Sequence, residues 1–258
     1  MNDFERYGFD RTQLSAFLLG CDPAKIRQKV ILAPCWSPES VGIEDARLIC
    51  DGAHRIWDCS LNAIAFTYIV SGVGAGTCSD VVMSLAETAC RQILFMGSAG
   101  SIHADVAVGD LAVPARIICG DGACRYLSAD LRQDPFGAQY APAAAVRAAV
   151  LDAARTQARE LGISCHAGTG ASVETIYSQF SHLDTFLEME CDFLDMESAA
   201  FLRSAQAAGI AGAVIFCISD NAIRRQSLVT VSEEMTRFRK DVRRRLMPGV
   251  MTAFLAAQ

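Results

Sequence analysis

No run of about 18 uninterrupted apolar residues occurs in the chain, so nothing in it reads as a membrane-spanning helix. An excess of basic charge is missing too. Lys and Arg number 23 against 29 Asp and Glu, a net charge of -6, which argues against nucleic acid or an anionic membrane as main partner. The one basic run, RFRKDVRRRL from Arg237 to Leu246, reads as the solvated face of a helix. The first residues, MNDFERYGFDRTQ, lack a basic segment leading into an apolar one. No secretory signal is therefore expected, and the expected location is cytoplasmic.

CxxC pairs are absent as well. The eleven cysteines are odd in number, and Cys90, Cys119 and Cys217 lie inside apolar runs, where a thiol acts as a small hydrophobe in a reducing compartment. Cys119 and Cys124 form a C-x4-C and His166 follows Cys165, but neither group has enough partner ligands for zinc. No metal is expected. Linker-like stretches, internal repeats and low-complexity tracts are also lacking. Residues 1–258 are expected to form a single domain, with 1–28 as an N-terminal extension and 231–258 as a C-terminal helix broken or kinked near Pro248. A chain of this length buries roughly 75% of its unfolded surface.

What is present is alternation. KVILAP (29–34), AIAFTYIVSG (63–72), QILFMGSAG (92–100), DLAVPARIIC (110–119) and AGAVIFCISD (211–220) read as strands. Helical patterns lie between them at 78–90, 142–162 and 196–209, the last two ending at Gly162 and Gly209, where a left-handed cap belongs. The expected fold is α/β, a twisted, mostly parallel or mixed sheet with helices on both faces. In such sheets ligands bind at the carboxyl ends of strands. Three strands end in small, polar or acidic residues, in SGVGAGTCSD, GSAGSI and SDNA.

The glycines of SGVGAG (71–76) lack the G-x-G-x-x-G spacing of a dinucleotide site, and a tight strand-to-helix turn is the default reading there. In FMGSAGS (95–101) the glycines allow close approach of a ligand, and Ser98 adds a hydroxyl. FLDMESAAFL (193–202) sets Asp195 and Glu197 two residues apart in an apolar run. Read locally, acids there favour a helix N-terminus through its dipole.

GVGAGTCSDVV, ILFMGSAGSI, VAVGDLAVPARIICGDGACRYL, GTGASVETIY, DMESAAF and CISDNA, taken in this order over about residues 60 to 222, resemble the nucleoside phosphorylase family. That family includes purine nucleoside and uridine phosphorylases and methylthioadenosine/adenosylhomocysteine nucleosidases. The resemblance implies a single α/β domain assembled as a dimer or hexamer. It also implies cleavage of a nucleoside N-glycosidic bond through an oxocarbenium-like ribose. Glu197 would accept the ribose hydroxyls, Met196 would pack on the sugar, and Asp195 would sit beside them where the family usually has Glu. Asp220, next to Ser219, falls where the family's purine general acid stands. Ser98 and Gly74 fall on turns that approach the substrate. Ile176 and Tyr177 fall where the family sets an aromatic on the base.

The resemblance thins at the acceptor. The family's phosphate turn, P-G-D-P-x-R, is here ILAPCWSPES, and its third-strand arginine is here Phe95. A phosphate dianion without arginines is poorly compensated. Glu39 lies close to the nucleosidases' water-activating glutamate, and Arg47 or Arg55 is a candidate for the arginine lent to a neighbouring subunit. The expected partner is thus a small-molecule nucleoside; no cofactor is expected, and phosphate is co-substrate if the protein is a phosphorylase. Water is favoured modestly over phosphate, purine over pyrimidine, and bond cleavage over mere nucleoside binding.

Overall fold

A computed structural model describes residues 3–227, 229 and 232–257. A short helix α1 (Asp3–Arg6) and α2 (Arg11–Leu19), capped by Asp10, precede the first strand, β1 (Lys29–Ala33). Four of the five β1 residues are buried, as expected of a strand covered on both faces. A hairpin follows, β2 (Ala46–Asp51) and β3 (Arg55–Leu61), then β4 (Ile64–Val70) and α3 (Ala75–Ser84). Next come β5 (Gln92–Ser101), β6 (Leu111–Ala112), β7 (Arg116–Gly120), β8 (Gln139–Tyr140) and α4 (Ala144–Leu161). The chain continues through β9 (Cys165–His166), β10 (Thr169–Val173), α5 (Ile176–Gln179) and α6 (Leu183–Glu188). It ends with β11 (Phe193–Asp195), α7 (Ser198–Ala208), β12 (Ala211–Asn221) and α8 (Glu233–Ala256).

All twelve strands join one mixed sheet, along the order β2-β3-β4-β1-β5-β11-β10-β7-β8 with β12, β6 and β9 branching from β5. Helices cover both faces. Leu19, Val81, Val82, Phe201 and Ala205 pack α2, α3 and α7 on one face, and Val150, Ala154, Leu246, Val250 and Phe254 pack α4 and α8 on the other. The expected α/β architecture is present.

The central strand β5 organises the sheet. One of its edges pairs in parallel with β12 from Gln92 to Ser101. Its other edge pairs with β1 only as far as Phe95, and with β11, antiparallel, only at Gly100 and Ser101. Met96 to Ala99 therefore lie in the gap where one neighbour leaves and the next arrives. The register with β12 also shifts, between Ile218 and Asp220, so that Ser219 is the extra residue of a bulge and Asp220 falls opposite Gly100. A bulge re-aims the side chains after it, and here it does so at the carboxyl end of both strands.

Two sequence expectations change. The segment 110–119 is not one strand, because Pro114 cannot donate to a ladder; β6 pairs with β12 and β9, while β7 pairs with β10 and β8. Of the two forms expected for the C-terminal helix, broken or kinked near Pro248, the break does not occur: the helix runs through Pro248 from Glu233 to Ala256. Residue 231, the expected start, lies outside the described residues. Proline leaves the Arg244 carbonyl without its helical donor, and Gly42 (φ +81) packs there: a Cβ on Gly42 would come 2.5 Å from that oxygen and 2.9 Å from the Pro248 ring.

Gly209 is also left-handed (φ +68) but has open space around it. Gly209→Ala should therefore cost about 1 kcal/mol and Gly42→Ala about 3 kcal/mol or more, since backbone strain and overpacking add at the second site. Urea denaturation of both variants checks this; equal losses would show that the Gly42 contact relaxes freely.

Candidate active site

A cavity of about 620 Å³ opens at the carboxyl end of the central strands. Gly97 and Ser98, in the unpaired gap of β5, form its floor, with Pro34 and Cys35 after β1 and Val173 at the end of β10. Asp195, Met196 and Glu197 enter from the β11 side, and Ser219 and Asp220 from β12. Seven residues singled out in the sequence thus line one cavity: Ser98, Ile176, Asp195, Met196, Glu197, Ser219 and Asp220.

Asp195 and Glu197 do different work. One oxygen of Asp195 accepts the backbone N–H groups of Glu197 (3.0 Å) and Ser198 (2.7 Å). The other accepts the hydroxyls of Ser172 (2.8 Å) and Ser198 (2.7 Å). The two backbone N–H groups are orphan donors at the start of α7, and Asp195 satisfies them as a capping carboxylate. Burial pushes its carboxyl up and the four donors pull it back. Its acceptor capacity is committed to the protein, and it fixes the backbone from which Glu197 projects.

Glu197 is 5% exposed, and its Oε1 accepts one bond, from the Gly74 N–H at 2.7 Å. Burial raises its pKa to about 7, the neighbouring charge of Asp195 adds to the rise, and the Gly74 N–H opposes it. Gly74 does not line the cavity; its backbone holds Glu197 in place.

Across β5, Asp220 lies so close to Gly100 that a Cβ on that glycine would stand 2.9 Å from its Oδ2. Oδ1 accepts the Ser219 hydroxyl at 2.6 Å. Burial raises the pKa of Asp220, opposed by the Ser219 hydroxyl and by the Arg239 charge. Arg239, on α8, donates to the Ser219 carbonyl at 2.7 Å and so braces the bulge from outside. A carboxyl raised in this way is suited to carry a proton.

At the β1 end, the candidates are not brought together. Glu39 sits in a 3-10 turn, exposed and outside the cavity lining. Arg47 pairs with Asp58 at 3.3 Å, and Arg55 lies over the Trp57 ring at 5.5 Å. Neither lines the cavity. Phe95 has become core, its ring 5.3 Å from Phe201 and 6.5 Å from Phe216. Arg243 lies against this corner instead, over Trp36 at 4.6 Å with its Nε donating to the Ser40 carbonyl at 3.0 Å.

The opposite wall is apolar. Ile176 lines it, but Tyr177 is 92% exposed and points elsewhere. Phe180 and Leu183 join Ile176 there, with Ile102 and Leu194. The spacing 176, 180, 183 is that of one helix face, a signal the sequence contained. Arg225 and Gln226, after β12, close the rim; no sequence pattern marked them.

The model of the phosphorylase superfamily matches residues 52–248. The chain is 28% identical over 130 residues to the uridine phosphorylase of Salmonella typhimurium, covering 50% of this chain and 47% of that protein, so it spans about half that relative's length. It is 26% identical over 190 residues to a DeoD-type purine nucleoside phosphorylase of Aliivibrio salmonicida, covering 72% and 76%. Among solved structures, uridine phosphorylase from Vibrio fischeri superposes with a TM-score of 0.69 at 15% identity, over 90% and 91% of the two chains. Purine nucleoside phosphorylase from Toxoplasma gondii in complex with immucillin-H does so with 0.69 at 21%, over 88% and 92%. At these identities the structures speak for the fold. The family model spans most of the chain, including both arms of the cavity, and the chain belongs to the phosphorylase superfamily.

Proposed function

We propose that the protein is an enzyme that cleaves the N-glycosidic bond of a purine nucleoside. The observation that carries this reading is that Glu197 and Asp220 line one cavity from opposite edges of β5. As the bond breaks, positive charge develops on the ribose and negative charge on the base. Glu197, ionised, accepts the ribose hydroxyls and favours the first. Asp220, protonated, donates to the purine and favours the second. Met196 packs on the sugar, and Ile176 with Phe180 offers the base an apolar wall. The general acid at Asp220 is what supports purine over pyrimidine. The names of the relatives include both uridine and purine nucleoside phosphorylases.

Water is the acceptor we favour. Among the described lining residues the one arginine is Arg225, and the residues at the β1 end are Pro34 and Cys35. A buried phosphate dianion needs more compensation than that. Phosphorolysis is the second reading, favoured by the relatives' activities and by Arg243 beside Cys35. Assembly as a homo-oligomer, implied by the family resemblance, belongs to this reading; the exposed Phe17, Tyr126 and Tyr177 support it. No described helix is long and apolar enough to cross a membrane.

A panel of purine and pyrimidine nucleosides, incubated with and without phosphate, tests the reading by release of free base. Purine release unchanged without phosphate is expected, strict phosphate dependence would replace water by phosphate, and no release from any nucleoside would end the catalytic reading. Asp220→Asn should lower purine turnover by about 100-fold or more, the scale of a lost general acid. Unaltered turnover in that variant would place the acid elsewhere.

Glu197 also makes stability depend on pH. Its carboxyl is raised on folding, so its contribution is fully present below the unfolded value of 4.5 and is lost as pH rises through about 7. Glu197→Gln cannot ionise and escapes the loss. Between those limits the ligand-free wild type should lose up to about 3 kcal/mol relative to the variant. Urea titrations of both proteins from pH 4 to 8, on the order of one per unit, check the slope; parallel pH profiles would show Glu197 to be unperturbed.

A further inference from the structure

Outside the cavity, one group of side chains has no part in the chemistry above. Cys119 near the end of β7, Asp121 just beyond it and Cys124 in the following 3-10 turn are all buried, and their ligand atoms lie within 4.8 Å of one another. The Asp121 Oδ1 accepts the Cys124 N–H at 3.1 Å, which fixes the carboxylate. Oδ2 accepts both thiols, at 3.8 Å from the Cys119 sulfur and 3.6 Å from that of Cys124.

The two sulfur-to-oxygen separations suit a tetrahedral ion. With zinc–sulfur bonds of about 2.3 Å and zinc–oxygen bonds of about 2.0–2.2 Å, the sulfur-to-oxygen edges of the tetrahedron are about 3.5–3.7 Å. The protein's two edges are at those values within about 0.1 Å, the precision at which ligand distances discriminate being ~0.2 Å. Two thiolates and a carboxylate suit a borderline-soft divalent ion better than magnesium or calcium. The carboxylate is held by a backbone N–H, as the outer shell of a metal site requires. Gly122, exposed on the covering turn, gives a way in.

We propose that Cys119, Asp121 and Cys124 form a binding site for zinc, with water in the fourth position. Loading displaces both thiol protons and moves no electrons. In the sequence the C-x4-C shows two ligands; in the fold Asp121, between the cysteines, supplies the third. The Gly122 N–H donates to Glu174 at 2.8 Å, just past the end of β10. An ion here therefore ties the turn to the strand that carries Val173 into the cavity, without touching substrate.

The test uses the full chain, purified under reducing conditions, stripped with a chelator, incubated with zinc or cobalt(II) alone and desalted. About one tightly held zinc per chain is expected, and a thiolate-to-cobalt charge-transfer band in the near ultraviolet. Cys119→Ser and Asp121→Asn should each weaken binding by about 10-fold or more, while Cys165→Ser should not. The wild-type cobalt spectrum decides the matter even if a variant fails to fold. No zinc held by the wild type, or equal zinc in wild type, Cys119→Ser and Asp121→Asn, would overturn the proposal. So would a native disulfide, seen as two of the eleven thiols missing when protein never exposed to reductant is unfolded and titrated.

Discussion

The pairing of β5 is the constraint on which the site depends. A strand has two edges, and β5 gives the whole of one to β12. The other is shared in sequence by β1 and β11, with Met96 to Ala99 between them. Backbone groups at such a handover are open to a ligand, and Gly97 and Ser98 face the cavity there. The same arrangement brings Glu197 and Asp220, distant from β5 in the chain, to opposite flanks of its last residues. Gly100 is the point of closest approach: it pairs with Leu194 on one side and with Asp220 on the other. A side chain at that position would meet the Asp220 carboxylate.

Given that frame, the roles of the three acids follow from how each is satisfied. Asp195 meets four protein donors, Glu197 one backbone N–H and Asp220 one hydroxyl. A carboxylate with its acceptors filled is a structural part. Those with acceptors to spare, Glu197 buried and Asp220 half-buried, both raised, have capacity left for a ligand. Two acids close in sequence thus divide the labour: one holds the helix start, and the other projects from it. The acidic α7 N-terminus thus both caps the helix and aims a carboxylate into the cavity.

Legibility in the sequence followed burial. β1, β4, β5 and β12 are apolar runs because both their faces are covered, and such runs stand out. The β2–β3 hairpin has no such run, because the edge strand β2 has no buried residue and its neighbour β3 has only Ile56 and Cys59 buried. β11 has only three residues, too few for any period to show. Within the site, the family resemblance marked Glu197 and Asp220 through short motifs whose order is kept. Tyr177 was marked by the same route and lies outside, because the turn of α5 carries Phe180 inward in its place. The bulge at Ser219 has no sequence signature at all, since it arises only when two strands are laid side by side.

The acceptor end shows how a change at one residue type propagates. Phe95 could not be an arginine in this packing, because its ring is enclosed by Phe201 from α7 and Phe216 from β12. A guanidinium there would be buried among aromatics without an acidic partner, which costs several kcal/mol. Phe201 in turn lies against Gly212, where a Cβ would come 2.8 Å from its ring, so the aromatic set fills the space between strand and helix. Restoring a cation at position 95 would therefore require repacking α7, the helix whose first turn Asp195 caps and from which Glu197 projects. Position 95 and the backbone that carries Glu197 are linked through one hydrophobic cluster.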